Sequence, residues 1–240
     1  MDKTRISWTG PNGATWNPWI GCQRVSEACD DCYMFEGQRR NGQNPEIVRR
    51  TTTTFKDPLK WVRNPRRYGH HKKIFTCSYS DFFITKADEW RPEAWEIIRR
   101  TPQFTYLILT HRPVLIPRRL PAGWGSGWPN CWLGVTVESR RWLSRLDVLR
   151  RVPAVKHFVS FEPLLEDLGE IDLCGIDWAI IGGKSGKNWK QNICDLSWIY
   201  RVIDQCRAQG VAVFVKQDSA YHDEQQGRLP DDIWRFKDFP

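Results

Sequence analysis

The segment Phe104-Thr105-Tyr106-Leu107-Ile108-Leu109-Thr110 is an unbroken run of apolar and β-forming residues. A short run of this kind is typical of a strand that is buried on both faces of a sheet. Five further runs share its length and composition, at residues 74–77, 131–137, 155–161, 178–181 and 211–215. The sequence therefore predicts a sheet built from short strands that recur through the chain.

Segments with helical spacing separate several of these runs, at residues 92–100, 141–150 and 196–208. We expect Asp195 or Ser197 to cap the last helix and Gly210 to end it. Alternation of strands and helices implies parallel strands joined by right-handed crossovers. We predict an α/β fold, a partial (β/α)6-type TIM-like barrel with parallel strands, in a single domain over residues 1–240. An open parallel sheet is the alternative, and residues 115–130 are expected to form a long loop.

Charge and hydropathy limit the possible partners and location. The 240 residues carry a net charge of +8, and no run approaches the roughly 18 apolar residues that a membrane span needs. The first residues lack the apolar segment of a secretory signal. We therefore expect a cytoplasmic protein with no membrane association and an anionic partner, of which nucleic acid is the commonest. Arginine pairs recur at 39–40, 49–50, 66–67, 99–100, 118–119, 140–141 and 150–151, and solvated helix ends would explain them equally well.

Three of the eight cysteines, Cys22, Cys29 and Cys32, fall within eleven positions in a C-x6-C-x2-C pattern. Such spacing in a cytosolic chain indicates a metal site more than a disulfide. Structural zinc takes four protein ligands, and no Cys or His follows Cys32 before His70 and His71. Three cysteines on a [4Fe–4S] cluster leave one iron open, as in radical S-adenosylmethionine enzymes. Structural zinc and incidental cysteines remain the alternatives.

Polar residues follow six of the candidate strands at the point where each ends. They are found at 78–81, 110–112, 136–139, 160–163, 182–186 and 216–218. Because sites in parallel α/β folds gather at the carboxyl ends of the strands, this pattern predicts a polar site at one rim. Trp16 and Trp19 flank the cysteine segment and are candidates for core packing or for base stacking.

Motifs along nearly the whole chain resemble those of the phage-associated three-cysteine-motif family, which is in turn similar to the spore photoproduct lyase branch of radical S-adenosylmethionine enzymes. They are found at 15–22, 78–81, 109–113, 133–138, 160–165, 182–186 and 214–217, together with Cys32-Tyr33. The sequence departs from these patterns at several places. The gap between the first two cysteines is six residues, where radical enzymes commonly have three, and Asp218-Ser219 follow Lys216-Gln217 where the family usually has Trp-Gly. Asp31 stands where radical enzymes usually have an aromatic residue, and Lys184 stands where the family usually has Glu.

The resemblance implies a role for each matching residue. Cys22, Cys29 and Cys32 would ligate the cluster, and Tyr33 would lie against the adenine of S-adenosylmethionine. The other cosubstrate contacts would come from Ser78, Ser80 and Asp81 at the methionine amine, Glu138 at the ribose, and Ser160, Glu162, Gly182 and Gly183 around the pocket. Lys216 and Gln217 would face either the substrate or the carboxylate of the cosubstrate. Cys77 is a weaker candidate for a hydrogen-atom donor. Alternatively, Glu138 and Glu162 pair with Arg112 or Lys216 and only brace the rim.

The resulting hypothesis is an enzyme that generates a 5′-deoxyadenosyl radical to modify or repair a nucleic-acid base or nucleotide. Its cosubstrate would be S-adenosylmethionine, and flavodoxin or ferredoxin would donate the electron. The second hypothesis is a non-catalytic nucleic-acid-binding protein stabilised by zinc or by a cluster. A radical enzyme that acts on a small metabolite is the third.

Overall fold

The computed structural model describes residues 4–68 and 72–240, and within them seven parallel strands form one sheet. The strands are β1 (Ala14–Trp16), β4 (Lys73–Thr76), β5 (Thr105–Thr110), β6 (Cys131–Thr136), β7 (His157–Phe161), β8 (Trp178–Gly182) and β9 (Ala212–Gln217), in that spatial order. Because spatial order follows chain order, every crossover moves in the same direction, and the sheet curls into a half-barrel. In the described residues β1 and β9 lie at the two edges and do not pair. A smaller antiparallel sheet joins β2 (Trp19–Ile20) to β3 (Arg49–Arg50).

Helices occupy only some of the crossovers. They are α1 (Tyr33–Arg40), α2 (Asp57–Arg63), α3 (Pro65–Tyr68), α4 (Arg91–Arg99), α5 (Ser144–Arg150), α6 (Leu196–Ala208) and α7 (Asp231–Trp234). In the described part of the chain, the β5–β6 and β7–β8 crossovers contain no α-helix. The predicted α/β class and parallel strands are therefore confirmed. The six-repeat arrangement stays a prediction.

All six predicted strands are present, with ends that differ by at most two residues. The predicted helix 196–208 coincides with α6, and the carboxylate of Asp195 accepts a hydrogen bond from the Ser197 amide at 2.8 Å. Gly210 follows this helix with φ +73°. Residues 115–130 form the expected loop, with 3-10 turns at its start. The sequence prediction missed β1, because three residues among loop signals leave too short a pattern.

The core lies on both faces of the sheet, as expected of buried parallel strands. On one face Leu107, Ile180 and Phe214 pack with Trp8 from the N-terminal segment. The helices cover the other face, where Ile108 and Ile181 belong to the main core. Among the described residues, we find no helix with the length and apolar character needed to cross a membrane.

Candidate metal and cofactor site

Residues 21–32, here called the cysteine loop, lie across the carboxyl edge of the half-barrel. Near its start, the backbone oxygen of Gly21 accepts a hydrogen bond from Ser80, which follows β4, at 2.6 Å. In its middle, the Ser26 hydroxyl lies 3.3 Å from Nδ1 of His111, which follows β5. The loop is therefore fastened to the ends of these two adjacent strands.

The second half of the loop is fastened further along the same edge. Glu27 accepts hydrogen bonds from Ser139 and from the indole of Trp142, both of which follow β6. Asp31 forms an ion pair with Lys184 at 2.5 Å and accepts a hydrogen bond from Asn188 at 2.6 Å, and both of these residues follow β8. The cysteine loop thus spans the sheet from β4 to β8.

The three cysteines of the loop lie in one small contact cluster. Cys29 is buried with Met34 and Phe35 from α1, and Cys22 and Cys32 pack against this group. Burial, followed by the negative charge of Asp81, raises the pKa of the Cys22 thiol to about 12. Burial also raises the pKa of Cys32. The thiols of Cys22 and Cys32 are therefore protonated at neutral pH, and metal binding would deprotonate them.

The cysteine donors can be compared with two kinds of metal site. In the described ranges, no group of three or more His, Cys, Asp or Glu side chains is arranged to hold a single metal ion. A tetrahedral zinc site requires all its ligands within about 2.3 Å of one point. In an iron–sulfur cluster each thiolate binds its own iron, so the sulfurs need not converge. Three thiol donors suit either kind of site chemically, since both zinc and iron–sulfur clusters take thiolates. His70 and His71 lie outside the described residues.

Tyr33 begins α1 directly after Cys32. Its hydroxyl donates to the backbone oxygen of Ser78 at 2.5 Å, and its ring lies 5.5 Å from that of Tyr79. About half of the Tyr33 surface is exposed. The exposed part of this residue lies directly after the last cysteine of the loop.

The three residues predicted at the methionine amine follow β4, but their side chains already have partners. The Ser78 hydroxyl bonds with Asn17, and Ser80 donates to Gly21. Asp81 is buried and accepts hydrogen bonds from four groups: the Thr110 hydroxyl, the Arg112 guanidinium and the amides of Phe83 and His111. Asp81 therefore fixes the end of β5 and orients Arg112.

Glu138 is fully buried and forms an ion pair with Arg145 at 2.8 Å. The predicted partners were Arg112 or Lys216. Three polar atoms in this region have no hydrogen-bond partner among the described residues: Glu138 Oε1, Arg145 Nη2 and Thr136 Oγ1. Because unpaired buried polar atoms are costly, they mark a place where a water or a ligand would be stabilised.

Glu162 follows β7 and forms an ion pair with Lys216 of β9 at 2.5 Å. The alternative role considered from the sequence, a salt bridge that braces the rim, predicted this contact. Burial raises the pKa of Glu162, and the charge of Lys216 acts in the opposite direction. Ser160 is buried one residue before the end of β7.

Gly182 and Gly183 lie at the end of β8, where β9 comes close. A Cβ on Gly182 would lie 3.1 Å from the Gln217 side chain, and one on Gly183 would lie 2.5 Å from the Ser219 amide nitrogen. Close packing between the ends of β8 and β9 therefore explains why residue 183 is a glycine. No bound ligand is needed to account for it.

Cys77 lies directly after β4 and is buried in the main core. Its φ of +64° is in the left-handed region, which non-glycine residues rarely adopt. Such strain is found most often at functional sites.

His111 and Arg112 were predicted as part of the polar rim, but without a role at the cysteine loop. Arg145 was not predicted at all, because it lies in α5 without any sequence pattern. Burial and the positive charge of Arg145 lower the pKa of His111 to about 4, which leaves the imidazole neutral at pH 7. Trp16 and Trp19 are fully buried, so they serve the core.

A family model described as "Protein of unknown function (DUF5131)" matches residues 3–234. This chain belongs to the DUF5131 family. No curated protein and no solved structure matches it. The DUF5131 match spans the cysteine loop and every strand of the half-barrel, so the site lies within the region that defines the family.

Proposed function

We propose that this chain is a radical S-adenosylmethionine enzyme that holds a [4Fe–4S] cluster on Cys22, Cys29 and Cys32. The observation that carries the proposal is the position of the three thiols, which lie together in a loop across the carboxyl edge of a parallel half-barrel. Active sites of parallel barrels lie at this edge. When bound, a cluster with one open iron supplies the electron that converts S-adenosylmethionine to a 5′-deoxyadenosyl radical.

In this proposal the seven-stranded sheet is a variant of the (β/α)6 barrel. The short strand β1 adds an edge to six strands of regular length, and two crossovers replace their helix with loops. The cysteine loop follows β1 and β2, so the added edge is what delivers it to the rim.

The cosubstrate pocket is proposed from the atoms that are free to bind it. The exposed ring of Tyr33 would stack on the adenine. Oε1 of Glu138, which lacks a partner among the described residues, would accept from a ribose hydroxyl. Ser78, Ser80 and Asp81 would shape the methionine end mainly by holding the loop in place.

A nucleic-acid base or nucleotide is the proposed substrate, and its support is the charge and composition of the rim. The guanidinium of Arg141 lies 4.9 Å from the ring of Trp142, and the ammonium of Lys190 lies 5.7 Å from that of Trp189. Each residue pair sits next to an anchor of the cysteine loop, Ser139 in one case and Asn188 in the other. Aromatic rings with adjacent cations suit stacked bases and phosphates. A flavodoxin or ferredoxin would supply the electron.

The test begins with anaerobic purification, reconstitution with iron and sulfide, and reduction with dithionite. S-adenosylmethionine is then assayed for 5′-deoxyadenosine. A C22A/C29A/C32A variant is compared with a C131A/C194A/C206A variant, which removes the same number of thiols outside the loop. We expect about four irons per chain and 5′-deoxyadenosine from the wild type and the second variant only. Iron without product in the presence of nucleic acid would favour a cluster-stabilised binding protein, and zinc without iron would contradict the cluster.

A further inference from the structure

Arg112 connects the sheet to the cysteine loop through a single guanidinium. Nη1 lies 2.8 Å from a carboxylate oxygen of Asp81 and 3.8 Å from Sγ of Cys22. Nη2 donates to the backbone oxygen of Gln23. The side chain is 9% exposed, so these contacts lie in a region of low dielectric. Arg112 therefore holds the first cysteine of the loop at a fixed position above the end of β5.

The other two cysteines also have an arginine nearby. The Arg24 guanidinium lies 4.2 Å from the ring centre of Phe35, which packs against Cys29 and Cys32. The Arg145 guanidinium is within electrostatic reach of Cys29. Of the three arginines, Arg112 is the one that donates a hydrogen bond to a cysteine sulfur, and it also binds Asp81 and the backbone of Gln23.

This arrangement suits a negatively charged group more than three neutral thiols. Three thiolates outweigh the positive charge of an oxidised [4Fe–4S] core, and the assembly becomes more negative when it gains an electron. Hydrogen bonds to the cluster sulfurs and net local charge are the means by which a protein sets a cluster's reduction potential. A buried cation next to Cys22 would stabilise the reduced state more than the oxidised state.

We propose that Arg112 is a positioning residue of the metal centre. It fastens the cysteine loop to the β4–β5 edge, and its charge raises the reduction potential of the bound cluster. The inference rests on the proposed function for its second half. Its first half concerns the metal-free protein and stands on the contacts of Arg112 alone.

Two variants of Arg112 separate the effect of its charge from the effect of its hydrogen-bond geometry. One control variant, at Arg119, is compared with both. R112Q removes the charge but can still donate to Asp81, whereas R112K keeps the charge and loses the two-pronged geometry. Arg119 provides the control, because its guanidinium binds Asp88 at 2.7 and 2.9 Å with similar burial and does not touch the cysteine loop. Circular dichroism first establishes that each variant folds. If R112Q does not fold, R112K is the variant used to test the positioning role.

Hydrogen exchange of the amides in residues 21–32 is measured in metal-free protein, and the midpoint potential of the reconstituted cluster is measured by titration with dithionite. We expect about tenfold faster exchange in R112Q and R112K, since a charge-assisted hydrogen bond is lost. The midpoint potential should become more negative in R112Q and stay near the wild-type value in R112K. R119Q should match the wild type in both measurements.

Each result decides one half of the inference. Unchanged exchange in both Arg112 variants would overturn the positioning role. An unchanged potential in R112Q, with the cluster present, would overturn the electrostatic role. A wild type that takes up no iron would overturn the proposed function and the electrostatic role together, and the exchange data would still decide the positioning role.

Discussion

The ammonium of Lys184 lies 2.5 Å from a carboxylate oxygen of Asp31. Asn188 also donates a hydrogen bond to the Asp31 carboxylate, at 2.6 Å. A glutamate at position 184 would face Asp31 with a like charge, whereas lysine attracts it. The pair fastens the last turn of the cysteine loop to the end of β8.

Charge reversal tests this pairing. D31K and K184D alone should each weaken the attachment of the loop, and the double reversal should recover part of the loss. A half-buried pair of this kind is worth about 1 kcal/mol of coupling. Urea unfolding of the wild type, both single variants and the double variant gives that coupling energy. Additive effects would show that the pair contributes nothing.

The close approach of β9 makes Gly183 sensitive to any side chain. G183A places a methyl group 2.5 Å from the Ser219 amide nitrogen, so the backbone must shift. We expect a loss of about 1–3 kcal/mol in the free energy of unfolding. G37A is the control, because Gly37 lies within α1 and its Cβ would make only ordinary contacts with Tyr79. If both variants unfold at the same urea concentration, the packing argument is wrong.

The buried pair of Glu138 and Arg145 predicts an asymmetry between single and double substitution. R145M leaves a charge unpaired beneath the rim and should cost about 3–5 kcal/mol. E138M/R145M removes both charges and should cost much less. The free energies of unfolding provide the comparison. A double variant that is less stable than R145M would argue against a penalty from unpaired charge.

Asp218 predicts a pH dependence of stability that does not involve the cysteine loop. Burial alone would raise the pKa of this carboxyl, but hydrogen bonds from Arg228 and from the Ser219 amide outweigh it and hold the pKa below its usual range. A depressed carboxyl pKa stabilises the fold above the unfolded value of about 3.9. That contribution disappears as the pH falls through the lower, folded value.

We therefore expect D218N to be less stable than the wild type by about 1–2 kcal/mol at pH 7. The difference should shrink as the pH falls below about 4. Unfolding free energies measured from pH 7 to pH 3 test the trend, and R228Q should show the same convergence. A constant difference across this range would mean that Asp218 gains nothing from being charged.

Regular elements could be read from the sequence because burial leaves a pattern there. The strand at 105–110 and the helix at 196–208 follow from apolar periodicity, and Asp195 follows from capping chemistry. The arginine pairs at 39–40, 99–100 and 150–151 lie at helix ends, as the simpler explanation expects, whereas the pair at 49–50 forms β3 and those at 118–119 and 140–141 lie in 3-10 turns. The missing helices of two crossovers left no comparable signal, because polar loop residues fit either outcome.

The sequence predicted which edge of the sheet carries the site, but not the contacts within it. Strand ends indicated where Asp81, Glu138 and Glu162 would gather. The partners of these side chains depend on tertiary contacts. Arg145 in α5 forms an ion pair with Glu138, and Asp81 accepts hydrogen bonds from four groups. Periodicity carries no information on such contacts. The link from Asp31 to Lys184 joins residues more than 150 positions apart, so it too lies beyond any local pattern.

Strand order along the half-barrel has a consequence for biosynthesis. Each strand after β1 pairs with the strand made just before it in the sheet, so the half-barrel can grow as the chain leaves the ribosome. The cysteine loop emerges early, but Lys184 and Asn188, which hold its far end, emerge only with the last quarter of the chain. The loop is thus among the first parts of the site to be synthesised and the last to be secured, so its far end is fastened to the sheet only when translation is nearly complete.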